Sequence, residues 1–262
     1  MRKYLFLVFV FIGCSSKNLK ETPKDFVKKD EKYLLLKGAN LYSLGKKSEA
    51  LLVYQEILKI NNKNSVALRE KAVIEGQLGN IKQAEKDFLK SLLLNSDDNL
   101  TLKNLAYLNF EKKNYIKSSE YLKRVSKDFK SDQDYFILGY IEFLNGSYLN
   151  SLKYYDVIGD ESIFNNSLFF DSYLSSLKQE NILNKDVYIR IEDKIKSNKK
   201  STIKLSNFYS TFLKRDDFAE RVLKKYLTYN ELDKEIINEL INIYYKSGDE
   251  IKAKKALKLI SN

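Results

Sequence analysis

From Glu31 onward, apolar residues recur at helical spacing, and short polar clusters interrupt them. Four segments, starting at Glu31, Ser65, Asn99 and Asp132, can be laid under one another with successive offsets of 34, 34 and 33 residues. Gly38, Ala72, Ala106 and Gly139 then fall on one line. Ala50, Ala84, Ser118 and Ser151 fall on a second, and Tyr54, Phe88, Leu122 and Tyr155 on a third. The second and third lines are four residues apart, so each small residue shares a helix face with the large one that follows. Gly45 and Gly79 mark a turn between two helices, and Lys113 with Asn114 stand at that place in the third segment.

The pattern returns near the end of the chain. Ile237, Leu240, Ile241 and Tyr244 form a stripe, Lys246-Ser247-Gly248-Asp249 a turn, and Ala253 with Leu257 a small-then-large pair. Between Ser162 and Asn230 the pattern is helical but irregular. It predicts pieces at roughly 162–178, 184–197, 201–214 and 216–229, read as two divergent hairpins. A break at Gly159-Asp160-Glu161 is the alternative to one continuous stack. No single hairpin can hide its apolar face, so stacked neighbours must supply the core.

These positions resemble the tetratricopeptide repeat (TPR), a helix-turn-helix unit of 34 residues. The resemblance implies an all-α fold: a TPR-like α-solenoid, a right-handed superhelix of about seven helix hairpins. It places four TPR-like repeats at 31–164, divergent hairpins at 165–230 and a C-terminal repeat at 231–262. The chain departs from the family in lacking its Trp and the Pro near the repeat end. Leu34, Leu68, Leu102 and Tyr135 or Phe136 stand at or beside the Trp position. In the family, the first helix of each hairpin lines a concave groove. Carried over residue by residue, the groove would expose Tyr42, then Arg69 and Gln77, then Lys103, Tyr107 and Phe110, then Gln133, Phe136, Tyr140 and Phe143. Such a surface suits an extended or helical partner segment with apolar anchors and a carboxylate. The same aromatics at helical spacing also fit a core. A family variant clamps a C-terminal carboxylate with Lys and Asn in the first repeat; Leu35 and Ala39 stand there instead, which argues against that clamp.

Composition narrows the chemistry. One Pro and nine Gly in 262 residues are too few for an all-β fold built on tight turns. With no His and a single Cys, there can be no Ser-His-Asp or Cys-His centre, no zinc site on His or several thiolates, and no intrachain disulfide. The adjacent carboxylates Glu192-Asp193 and Asp216-Asp217 do not face each other on a helix, so neither pair makes an acid/base couple. No metal and no diffusible cofactor is expected.

The start of the chain carries a different kind of information. Arg2 and Lys3 precede an apolar run, Tyr4 to Ile12, well short of the roughly 20 residues that cross a bilayer. Phe11-Ile12-Gly13-Cys14-Ser15-Ser16 then resembles the lipobox of bacterial lipoproteins, with Phe11 in place of the usual Leu. That resemblance implies a signal peptide at 1–13, S-diacylglycerol and N-acyl groups on Cys14, and a lipidated tether at 14–30. It implies a lipid-anchored place in the bacterial cell envelope, the outer membrane rather than the inner one in a diderm. Formal net charge is +11, and Lys194, Lys196, Lys199, Lys200 and Lys204 follow one another with no acid between. This run fits either anionic lipid and acidic polymers or a solvated loop. No nucleic-acid motif accompanies it.

The expected function is a membrane-anchored scaffold or adaptor that binds other envelope proteins or peptides in its groove. The alternatives are a surface-exposed lipoprotein engaging host or extracellular partners and, last, a cell-wall-acting enzyme.

Overall fold

The computed structural model describes residues 30–159, 164, 166–182, 184–195 and 198–261, with the backbone alone at Lys185. Cys14, the segment 1–13, the tether up to residue 29, Lys196 and the 160–161 part of the candidate hinge lie outside the described residues. Among the described residues the fold is all-α, built from helix hairpins of tetratricopeptide type. Its contacts divide the chain into two units, Met1–Lys130 and Ser131–Asn262.

The first unit holds three hairpins. Helices α1 (Glu31–Ser43) and α2 (Lys47–Ile60) form the first, α3 (Ser65–Gln77) and α4 (Ile81–Leu94) the second, α5 (Asn99–Glu111) and α6 (Tyr115–Arg124) the third. A short 3-10 turn, Lys127–Phe129, ends it. The turns follow from residue choice. Gly45 and Gly79 sit at φ +75° and +87°, where a Cβ is penalised, and Lys113 takes the equivalent left-handed place at φ 59°. Asn64 starts α3 by accepting from the Ala67 N–H at 2.9 Å. At the hairpin crossings Ala50, Ala72, Ala84, Ala106 and Ser118 are fully buried. Small residues there let Tyr54 and Phe88 fill the space between helices.

The second unit begins with α7 (Asp132–Leu144) and α8 (Tyr148–Tyr155), followed by α9 (Ser167–Gln179) and α10 (Lys185–Ile195). Helix α11 (Lys199–Phe208) runs into a π-helical turn, Tyr209–Leu213, and α12 (Asp216–Leu227) follows. Helices α13 (Lys234–Lys246) and α14 (Glu250–Ile260) make the last hairpin, with Ala253 buried between them. Asn166, Asn198 and Asp233 cap the first helices of these hairpins through their side chains.

Aromatic side chains supply much of this unit's core. Tyr155 meets Phe169 edge-on at 4.8 Å and Tyr173 at 5.5 Å, and Phe136 meets Phe169 edge-on at 5.8 Å. A second nest joins Tyr209 to Tyr188 at 5.5 Å and to Phe218 at 5.6 Å. Gly139 and Ser151 make room for the first nest: both are buried beside Tyr155.

These phenols carry a consequence for alkaline stability. Burial pushes Tyr155 and Tyr188 up to about 12, and pushes Tyr54, Tyr173 and Tyr209 further in the same direction. The folded state therefore keeps protons that the unfolded chain releases near the ordinary value of about 10. Stability is fully present below that value and falls as pH rises from it towards 12. In an alkaline titration, tyrosinate absorbance is expected to rise in two stages. The second should coincide with loss of helical circular dichroism. A single stage, complete before any helix melts, would contradict the burial of these hydroxyls.

Candidate partner-binding groove

In the second unit, α9 and α11 present matching faces to one another. On α9 the residues are Asp171, Leu174, Ser175 and Lys178; on α11 and its π-turn they are Lys204, Asn207, Phe208 and Thr211. Each set follows the i, i+3, i+4, i+7 spacing of one helix face. Together they line an open cavity of about 380 Å³. Leu174 and Phe208 are buried and form an apolar floor. The rim is polar. Lys204 pairs with Asp171 and donates to Ser167 Oγ at 2.8 Å. Lys178 Nζ lies 5.8 Å above the Phe212 ring, and Phe212 itself packs on Phe208 at 5.1 Å. Asn207 is exposed and offers both an amide donor and an acceptor. The arrangement can seat an apolar side chain and meet the polar backbone or a carboxylate beside it.

The sequence-based groove residues fare differently from one another. Tyr140 and Phe143 remain half-buried, stacked at 6.1 Å, and Gln133 is also half-buried on the same helix. Tyr42 and Gln77 are half-buried and joined to each other, the Gln77 amide donating to the Tyr42 hydroxyl at 2.5 Å. Arg69 needs correction as a free cation. Its guanidinium donates to both Asp98 oxygens at 3.1 and 2.9 Å and twice to Glu70 Oε1 at 2.8 and 2.6 Å. Glu70 is itself buried, and burial holds its carboxyl above the usual range despite the neighbouring guanidinium. Arg69 thus ties α3 to the start of α5. Phe136 is a core residue, fully buried against Phe169. Lys103, Tyr107 and Phe110 are buried as well, so they are not the open surface expected from their register. The Lys103 ammonium donates to the Phe129 carbonyl at 3.2 Å, and Phe110 leans on Tyr115 at 5.6 Å.

Two lysines of the run meet acids distant in sequence, and a third meets a backbone carbonyl. Lys199 pairs with Asp233 at 2.9 Å and Glu235 at 3.2 Å, Lys204 with Asp171, and Lys194 donates to the Gly159 carbonyl at 2.6 Å. The adjacent carboxylates have structural partners. Glu192 bonds Tyr209 and Arg221, Asp193 pairs with Lys225, Asp216 with Lys246, and Asp217 with Arg215. Among the described residues, no group of three or more His, Cys, Asp or Glu side chains is placed to hold a metal ion. No helix among them is long and apolar enough to cross a membrane.

Helix hairpins, small residues at their crossings and left-handed turn positions define an all-α repeat protein of the tetratricopeptide type. No protein-family model matches the chain, and no curated protein matches it. It is similar to solved structures at low identity. One is a tetratricopeptide repeat protein from Parabacteroides merdae, 18% identical, with 80% of this chain and 82% of that one covered and a TM-score of 0.46. Another is pilF of Pseudomonas aeruginosa, 14% identical, covering 87% and 90%, TM-score 0.46. A third is PilW, described as a widely conserved type IV pilus biogenesis factor, 14% identical, covering 90% and 94%, TM-score 0.44.

Proposed function

We propose that this chain is a membrane-anchored interaction scaffold of the bacterial cell envelope, seating an extended segment of a partner protein between α9 and α11. The observation that carries the reading is the groove: two helices turn matched faces to one open cavity with an apolar floor and a polar rim. The anchor rests on the lipobox-like segment around Cys14, and the lipid on that residue is the one covalent group the reading requires. The outer membrane is the favoured site in a diderm. The reading calls for no reaction, metal or nucleic acid; its chemistry is that of recognition.

The test is capture of partners by the full-length protein from mildly solubilised envelopes. The comparison is a Lys178→Glu, Asn207→Asp double variant, whose substitutions fall on exposed rim positions. A protein retained by wild type and lost from the variant, with helical content unchanged, is the expected result. Equal retention by both would overturn the groove assignment. Intact-mass measurement of the same preparation is expected to show acyl groups on Cys14, and an unmodified thiol there would remove the anchor.

A further inference from the structure

We infer that the outer face of α4, in the first unit, docks on a bilayer surface containing anionic phospholipid. Ala84, Phe88 and Ser91 turn inward and are fully buried. The opposite face carries Lys82, Lys86, Leu89, Lys90 and Leu93, a single stripe at helical spacing. Its charge is not cancelled by the helix's own acids. Glu85 is taken by Lys112 at 2.8 Å, and Asp87 turns to Lys71 at 2.5 Å and to Gln83 at 2.8 Å. Lys82, Lys86 and Lys90 make no ion pair among the described residues.

The apolar members of the stripe protrude. Leu93 is 86% exposed, which places it above the surrounding surface. The outer helices of the flanking hairpins repeat the feature, with Leu52 on α2 at 65% and Ile116 on α6 at 75%. Isolated aliphatics standing out among lysines match a bilayer interface better than a folded partner. A protein must supply a shaped pocket for each protruding anchor. The headgroup boundary needs none: aliphatic tips enter it while lysine ammoniums meet phosphates. The inference does not depend on the groove, which lies in the other unit.

The test uses the full-length chain with Cys14→Ala, so that no acyl group contributes, and Leu93→Cys carrying an environment-sensitive fluorophore on what is then the sole thiol. It is mixed with vesicles of phosphatidylcholine alone, or of phosphatidylcholine with phosphatidylglycerol. The fluorophore is expected to shift to the blue only on the anionic vesicles. A Lys82→Gln, Lys86→Gln, Lys90→Gln variant is expected to partition on the order of a hundredfold more weakly, at about fivefold per lysine. An unshifted label on anionic vesicles would overturn the inference, as would equal partition of the folded variant. So would a shift seen only with protein-containing membrane extracts, which would assign the face to a protein partner.

Discussion

Gly139→Ala is expected to destabilise the second unit by about 2 kcal/mol, although alanine is the better helix former. In an open helix the exchange would be favourable by about 0.5–1 kcal/mol. At this crossing a Cβ would stand 2.3 Å from Tyr155 Cε1 and 2.5 Å from Cδ1. The ring cannot retreat without wider repacking. Its hydroxyl is bonded to Ser172 Oγ at 2.7 Å, and Phe169 and Tyr173 pack edge-on against it. Overpacking of such a site costs about 1–3 kcal/mol, and the short approach puts this one at the upper end. Gly38→Ala is the informative comparison. There the Cβ would meet Tyr54 Cζ at 2.8 Å, and the Tyr54 hydroxyl has no hydrogen-bond partner among the described residues. That ring is freer to slide, so the loss should be smaller. Thermal and urea melts followed by circular dichroism decide it. A Gly139→Ala protein as stable as wild type would mean that the crossing is looser than the placement of Tyr155 requires.

These crossings were legible in the sequence because each is made by two helices close in the chain. A small residue on the first helix and a small–large pair on the second are local marks, and they recur with the repeat. Exposure is a different kind of property. Phe136 sits at a groove register position, yet Phe169 on α9 covers it. Arg69 reads as a free cation until Asp98, from the next hairpin, is placed beside it. The lysine run contains no acid, and the acids that pair with two of its members, Lys199 and Lys204, are Asp171, Asp233 and Glu235. In each case the deciding neighbour arrives through tertiary packing, which helical periodicity does not encode.

The groove between α9 and α11 is hidden in the sequence for a related reason. The family register holds only in the regular repeats, and the stretch from 162 to 230 lacks it. The spacing itself was available: Asp171, Leu174, Ser175 and Lys178, then Lys204, Asn207, Phe208 and Thr211. What the sequence did not announce is the π-turn at Tyr209–Leu213, closed by Lys214 at φ 56°. It carries Thr211 into the groove wall.

That turn is held by an ion pair whose carboxylate is buried and whose guanidinium is partly exposed, and breaking it gives the second large effect. Glu192 on α10 is only 4% exposed. It accepts from the Tyr209 hydroxyl at 2.8 Å and from Arg221 Nη2 at 2.6 Å and Nε at 3.3 Å. Arg221→Ala would leave this carboxylate buried with a single neutral donor. Removing one partner of a fully buried pair costs about 3–5 kcal/mol; the Arg221 side chain is 39% exposed, which screens the interaction and brings the expected loss to about 2 kcal/mol. Part of that loss is packing, because the guanidinium also lies 4.5 Å above the Phe218 ring. Arg221→Lys should recover the charge but not the two-pronged contact. A Glu192→Gln, Arg221→Ala double variant should be more stable than Arg221→Ala alone, since the uncompensated charge is gone. The double variant separates the electrostatic part from packing. Urea midpoints measure it, and a Glu192→Gln, Arg221→Ala protein no more stable than Arg221→Ala alone would reduce Arg221 to a packing role. Because Tyr209 opens the turn that carries Thr211, the same variant is expected to weaken capture of a partner at the groove, even at temperatures where it remains folded.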